Sequence, residues 1–283
     1  MNNIPDCLLV RIFSCLSQAQ ICVVASVCKR WRECAYSSVL WNQLILTNLE
    51  RVHTNFLSSA LLARGVKSLA LALTSSEVRD LIAAIDMCPT LEVLSLSGLP
   101  RGLAWCGSRA AVQLSLGDIA DLATALQHHV RLRGLDLSRN VLRNAGACCI
   151  LSQCPPHLTS ISLSSCAIDV PNDPSHHVDP VYRYLDHFSH LDLSGNTLHG
   201  FPRVLNRLLA KGQVRSINIA RCQLEFTSLD ADVLGRDLAL CNSLTHLNLS
   251  GNALGPAVVE GVSAALNINT ALHTLRLAGA IVK

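Results

Sequence analysis

Leu132-Arg133-Gly134-Leu135-Asp136-Leu137-Ser138-Arg139-Asn140-Val141-Leu142 and Leu244-Thr245-His246-Leu247-Asn248-Leu249-Ser250-Gly251-Asn252-Ala253-Leu254 share one pattern, L-x-x-L-x-L-x-x-N-x-L. Further copies open at Val66, Leu91, Leu158, Phe188, Val214 and Leu272, giving eight strand motifs at steps of 25, 41, 26, 30, 26, 30 and 28 residues. The apolar residues alternate within each motif, which predicts a short strand with its leucines turned to one side. The stretch after a motif tends to helical spacing, as in Val258, Val262, Ala265 and Leu266, so each unit is a strand followed by a helix. One such unit cannot bury its apolar face alone. Neighbours must stack, lining the strands up as a parallel sheet inside a curve with the helices outside.

This is the pattern of a leucine-rich-repeat array, an α/β solenoid. Its ninth position alternates as Asn140, Cys166, Asn196, Cys222 and Asn252, which makes a two-repeat unit. In that alternation the array resembles the ribonuclease-inhibitor-like class over residues 66–283, about eight repeats with the last incomplete. A buried amide is costly unless backbone groups satisfy it, and a cysteine can fill the same place as a small, weak donor, so these five positions are read as structural. The long step between Leu91 and Leu132 has its surplus in residues 100–116, around Trp105-Cys106-Gly107, and predicts an excursion loop. Pro171, Pro174 and Pro180 exclude a continuous helix over residues 169–182 and predict a second loop on the convex side. After Leu277 the chain stops without a closing helix or polar capping repeat, leaving the raw edge that a truncated product would have.

The first fifty residues follow another rule. Leu8, Leu9, Ile12, Phe13 and Leu16 form a helical stripe, with Pro5 at the start and Asp6 near the positive end of the helix dipole. Val23, Val24, Val27, Cys28, Trp31, Cys34 and Ala35 form a second stripe, with Lys29, Arg30, Arg32 and Glu33 opposite, and Leu40, Trp41 and Leu44 a third short piece. Three helices of this size make a very small core, and apolar surface left uncovered becomes a docking face. Ile4-Pro5-Asp6, Leu8-Leu9, Ile12 to Leu16, Val27 to Arg32 and Leu40 to Leu44 occur in an order and spacing that resembles the F-box family over residues 4–46, with residues 47–65 as a junction to the repeats. The resemblance implies a module that binds the small adaptor subunit of an SCF (cullin-RING) ubiquitin ligase. Ile4, Pro5, Leu8, Leu9, Ile12, Phe13 and Val27 are then expected at the adaptor interface, with Trp31 and Trp41 bracing the module and its junction. Cys7 stands where that family usually has an acid, a loss of about 0.3–1 kcal/mol of favourable dipole interaction.

Composition narrows the partners. Half of the residues are hydrophobic, only 15% are charged, and the net charge is +3, which provides no basic stripe for nucleic acid or an anionic membrane. No run approaches the length of a spanning helix, and the N-terminus lacks the basic and apolar regions of a signal peptide. The 13 cysteines are odd in number, irregularly spaced and set within apolar periods, so they are expected as reduced, mostly buried thiols of a cytoplasmic or nuclear protein. The chain holds no phosphate-binding loop, nucleophile elbow, H-E-x-x-H or C-x-x-C, so no catalytic residue, cofactor or metal is expected. His187 and His190 run into a strand that would point them apart, and His128-His129 reads as a cationic end to a helix.

Two functional readings remain. In the first, the chain is the substrate receptor of an SCF ligase, reaching cullin through the adaptor and holding a substrate protein on its repeats. In the second, it is a scaffold or inhibitor that binds proteins outside any ligase. In both, the concave strand positions carry the specificity. They read Ala70, Ser95, Asp136, Ser162, Asp192, Asn218, Asn248 and Arg276 down the array, so a protein partner is expected against Asp136, Asp192, Asn218, Asn248 and Arg276, with His190, His246, Arg139 and Arg221 nearby.

Overall fold

A computed structural model describes residues 4–46, 65–71, 82, 85, 88, 90–97, 115–170 and 180–279. The excursion around Trp105, residues 171–179 of the second predicted loop and the last four residues lie outside them. Nine strands form a single parallel sheet: β1 Gln43–Leu46, β2 Ser68–Leu71, β3 Val93–Ser95, β4 Gly134–Asp136, β5 Ser160–Ser162, β7 His190–Asp192, β9 Ser216–Asn218, β10 His246–Asn248 and β11 Thr274–Arg276. They follow one another across the sheet in chain order, and every neighbouring pair is parallel. Two residues each of β6 (Asp169–Val170) and β8 (Thr197–Leu198) pair separately, just past the main strands. The solenoid expected from the repeat period is therefore present.

Its core is made by the motif leucines. Leu69, Leu94, Leu135, Ile161, Leu191, Ile217 and Leu247, at the centres of successive strands, are all 3% exposed or less. The last repeat differs: Leu272, Leu275 and Leu277 are only partly buried, because nothing among the described residues packs beyond β11.

Two of the outer helices start where short polar side chains satisfy the free N–H groups of a first turn. Ser115 and Asp118 form a capping box at α4 (Leu116–Gln127), and Thr227 and Asp230 form one at α8 (Ser228–Leu240). α5 (Arg143–Gln153), the short α6 (Pro180–Arg183), α7 (Phe201–Lys211) and α9 (Pro256–Leu266) complete the outer layer among the described residues. In α9, Val258, Val262 and Ala265 are buried as their spacing predicts, whereas Leu266 is 44% exposed. Helices α8 and α9 approach through glycine: a Cβ on Gly235 would lie 3.0 Å from Gly261 Cα and O. Gly235→Ala gains about 1 kcal/mol of helix propensity but presses a methyl on backbone, typically costing about 1–3 kcal/mol. A net loss of about 1 kcal/mol in urea denaturation is the expected result.

The N-terminal module contains α1 (Asp6–Phe13), α2 (Gln18–Val24), α3 (Lys29–Ala35) and a 3-10 turn over Ser38–Trp41. The structure corrects the second stripe, which the apolar period carried unbroken from Val23 to Ala35. α2 stops at the cap residue Ala25, and Cys28 is extended at φ −160° and N-caps α3, its Sγ accepting from Trp31 N–H at 3.4 Å. Once the helix is broken, the first N–H groups of α3 have no carbonyl one turn back, and the Cys28 cap satisfies one of them. A second difference is that the parallel sheet begins at Gln43, inside the F-box-like pattern and ahead of the first repeat motif at Val66. Asn42 O accepts from both Lys67 and Ser68 N–H, and the Gln18 side chain donates to Gln43 O. Module and solenoid thus share a strand.

Candidate functional site

Two surfaces carry the candidate residues: the outer face of the N-terminal helices and the concave face of the sheet. On α1 the apolar stripe is split between them and the core. Leu9 and Phe13 are buried at 3% and 2%, and Phe13 meets Trp31 edge to face at 5.5 Å between ring centroids. Trp41 is buried and donates its indole N–H to Ala35 O at 2.8 Å. Leu9 and Phe13, expected at the adaptor interface, are therefore core residues, and Trp41 braces the module from inside as expected: a module this small needs its largest apolar groups for itself. Trp31 is half-buried against that core.

What is left outside is Ile4, Pro5, Leu8, Ile12 and Val27, all exposed. Leu8 and Ile12 stand one helical turn apart on the same side of α1, and each is about half exposed. Val23 on α2 and Val39 in the 3-10 turn are also exposed, and sequence reading missed both. An apolar stripe that runs unbroken through residues 25–28 turns Val23 inward, and the break there turns it out to solvent. Asp6 binds Arg30 at 2.7 Å, and Arg30 also donates to Ile4 O, so the start of α1 is tied to α3 although Cys7 brings no acid.

The cysteines divide in the same way. All twelve among the described residues are free, but Cys7, Cys15, Cys22 and Cys28 are exposed on the N-terminal module, which corrects the expectation of mostly buried thiols there. In the solenoid, burial pushes the Cys166 and Cys222 thiols up to about 12, so they stay protonated and donate to Leu137 O at 3.2 Å and Leu193 O at 3.3 Å. Iodoacetamide at neutral pH should therefore label Cys7, Cys15 and Cys28 in the native chain and spare Cys166 and Cys222 until it unfolds. Peptide mapping reads this directly, and native labelling of Cys166 at the rate of Cys7 contradicts the assignment.

Across the sheet, Ala70, Ser95, Asp136, Ser162, Asp192, Asn218, Asn248 and Arg276 lie in strand register, so the structure brings the concave row together. Four of its members have a further task that spacing alone did not reveal. Asp136, Asp192, Asn218 and Asn248 each accept, through Oδ1, the N–H of the residue two positions on: Ser138 at 2.9 Å, Ser194 at 2.9 Å, Ala220 at 3.3 Å and Ser250 at 3.1 Å. They close the turn at the end of each strand. Asp136 also accepts from Ser95 Oγ, and Asn218 donates to Ser194 Oγ. Asx residues followed two positions later by a small residue are the sequence signal for this role. Arg276, on the last strand, is exposed, as are His190 and His246, whose Nδ1 atoms contact Ser189 Oγ and Thr245 Oγ1.

The ladder behind the turns agrees with its structural reading. Asn196 Nδ2 donates to Leu163 O and Leu193 O, while Oδ1 accepts from Cys166 and Ile168 N–H; Asn252 repeats the arrangement one unit later. His187 is exposed and stacks on Phe188, and no cluster of three or more metal-ligating side chains occurs among the described residues. His128 caps its helix at the surface, but His129 is only 2% exposed, which corrects its reading as a surface cation: it lies at the foot of the repeat, where His157 contacts its carbonyl. No helix among the described residues is long and apolar enough to cross a membrane.

Comparison with known proteins agrees with the two patterns. Residues 1–47 match the F-box-like family, and residues 240–262 match a leucine-rich-repeat family. Among solved structures, the chain is similar to the leucine-rich repeat-containing protein LegL7 of Legionella pneumophila at 18% identity, covering 82% of this chain and 81% of that one with a TM-score of 0.48. It is similar to a TLR13–ssRNA13 complex at 16% identity over 77% of this chain and 33% of that one, TM-score 0.42. The tropomodulin C-terminal domain of Caenorhabditis elegans is similar at 11% identity over 68% and 95%, TM-score 0.34.

Proposed function

We propose that this chain, with an F-box-like module leading into leucine-rich repeats, is a substrate-recognition subunit of an SCF ubiquitin ligase. The observation that carries the reading is the division of α1: its inner face completes the module's core, and its outer face keeps Leu8 and Ile12 in solvent beside Ile4. A helix with apolar residues on both sides has a partner for each side. The outer partner is the adaptor, and cullin follows through it. The chain contributes binding and geometry, and the chemistry of ubiquitin transfer belongs to other subunits. Substrate protein is held on the concave face at Asp136, Asp192, Asn218, Asn248 and Arg276. Because the first four also close strand turns, they act with a geometry that the fold has already set.

Affinity purification of the tagged full chain from cells tests the reading. Adaptor and cullin are expected in near-stoichiometric amounts, and recovery of a folded chain with neither leaves the scaffold or inhibitor reading in its place.

A further inference from the structure

The two rims of the concave face carry a spacing that the leucine motif does not require. Along the N-terminal ends of β4, β5, β7 and β9 the residues are Arg133, Thr159, Ser189 and Arg215, and along the C-terminal turns they are Arg139, Ser165, Gly195 and Arg221. Backbone hydrogen bonds fix both rows in register: Arg133 O accepts from Thr159 N–H, Thr159 O from Ser189, and Ser189 O from Arg215, while Arg139, Ser165, Gly195 and Arg221 each donate to the neighbouring turn. Each row is therefore an arginine, two small residues and an arginine. All four arginines are exposed and make no ion pair among the described residues.

Backbone conformation adds an independent observation. Arg139 and Arg221 stand at φ +64° and +56°, in the left-handed region, as do Ser165 at +55° and Gly195, Gly251 and Gly279 at the equivalent turns. A side chain there costs about 1 kcal/mol or more, and glycine would cost nothing. The Arg221 stem lies against Gly251, where a Cβ would come within 2.7 Å of its Cγ, as Ser165 Oγ does at 2.6 Å against Gly195 one unit earlier.

Three strand steps of about 4.8 Å separate the arginines of a row, roughly 14 Å, which is the reach of about four residues of extended chain at ~3.4 Å each. Between the rows lie the Asp136 and Asp192 carboxylates, so an anionic segment of the substrate seats on the rims while other groups of the same partner meet the floor. We propose that the rims take an extended acidic protein segment with carboxylates four residues apart, clamped between Arg139 and Arg221 and between Arg133 and Arg215. This deepens the receptor reading above by naming the class of its substrate, and it rests on that reading only for the identity of the surface.

The probe is a labelled peptide of about twelve residues with glutamates at every fourth position, titrated against the full chain by fluorescence anisotropy. Salt-sensitive binding is expected, weakened roughly tenfold or more when the glutamates are glutamine. Arg139→Gly with Arg221→Gly should weaken it by a similar factor while thermal stability stays level or rises, a combination that a purely structural role does not give. Arg133→Gln with Arg215→Gln, which leaves the turns alone, should weaken it as well. Absence of binding, undiminished wild-type binding by both double variants, or tighter binding of a single-stranded RNA than of the peptide overturns the proposal. Adaptor capture scored on the same samples separates the two ideas: peptide binding without adaptor leaves the acidic-segment site standing and removes the ligase.

Discussion

Leu8→Asp combined with Ile12→Asp is expected to leave the chain folded and to remove adaptor binding. Both side chains lie outside the module's core, at 47% and 52% exposure, so charging them opens no cavity and buries no ion in the free chain. In a complex the same two positions would be desolvated one turn apart on α1, and each carboxylate would have to be buried unpaired or keep the partner at a distance. Losing two apolar anchors of that kind costs roughly 3 kcal/mol or more, at least a hundredfold in affinity. Leu9→Ala and Phe13→Ala are the contrasting pair. Both are buried in the module and Phe13 meets Trp31, so they should lower its unfolding midpoint and reduce adaptor capture only through the unfolded fraction. Adaptor pull-down alongside circular dichroism distinguishes the two pairs. Full binding by the folded aspartate double variant would place the adaptor elsewhere.

That contrast marks where sequence stopped being sufficient. Leu8 and Leu9 are neighbours, as are Ile12 and Phe13, and all four belong to one wide stripe. Which member of each pair faces the core depends on where α3 packs, and its start at the Cys28 cap leaves no mark in an apolar run that continues through Val27 and Cys28. The solenoid was legible for the opposite reason. Each motif leucine has one environment, repeated at each step, so its period reports burial directly, and seven central strand residues are 3% exposed or less. β1 escaped notice because Gln43–Leu46 completes a helical module's pattern and joins the sheet only through Asn42 O and the pairing with Ser68–Leu71. The concave row was legible as a row, but the turn-closing hydrogen bonds of Asp136, Asp192, Asn218 and Asn248 depend on the backbone bending back at the following residue, and alternation carries no record of that bend.

Those turn bonds also bear on mutagenesis of the concave face, where alanine at Asp136, Asp192 and Asn218 together would disturb strand ends as well as remove contacts. Asp192 Oδ1 alone accepts from Ser194 N–H and from its hydroxyl at 2.7 Å. Arg276→Ala is a cleaner probe because its exposed side chain takes no part in these turns.

Asn196→Ala should be the most destabilising polar truncation in the solenoid, and its partners say why. The amide donates to Leu163 O at 2.8 Å and Leu193 O at 2.7 Å and accepts from Cys166 and Ile168 N–H at 2.9 and 3.1 Å, all in a site that excludes water. Alanine strands four backbone groups on two adjacent turns. At about 1–3 kcal/mol for each buried group left unpaired, with partial relaxation, the loss is roughly 4 kcal/mol, or about 10 °C in the melting midpoint of a domain this size. Cysteine at 196 should fall between wild type and alanine. As Cys166 and Cys222 do, its thiol can donate to a carbonyl of the preceding turn, but it offers no acceptor to Cys166 and Ile168 N–H. Cys222→Ala removes one thiol donor and a small volume, a loss of about 1 kcal/mol. Urea denaturation of the four proteins therefore ranks wild type, Cys222→Ala, Asn196→Cys and Asn196→Ala. If Cys222→Ala proved as damaging as Asn196→Ala, the alternation would be one of volume, since only the asparagine both donates and accepts.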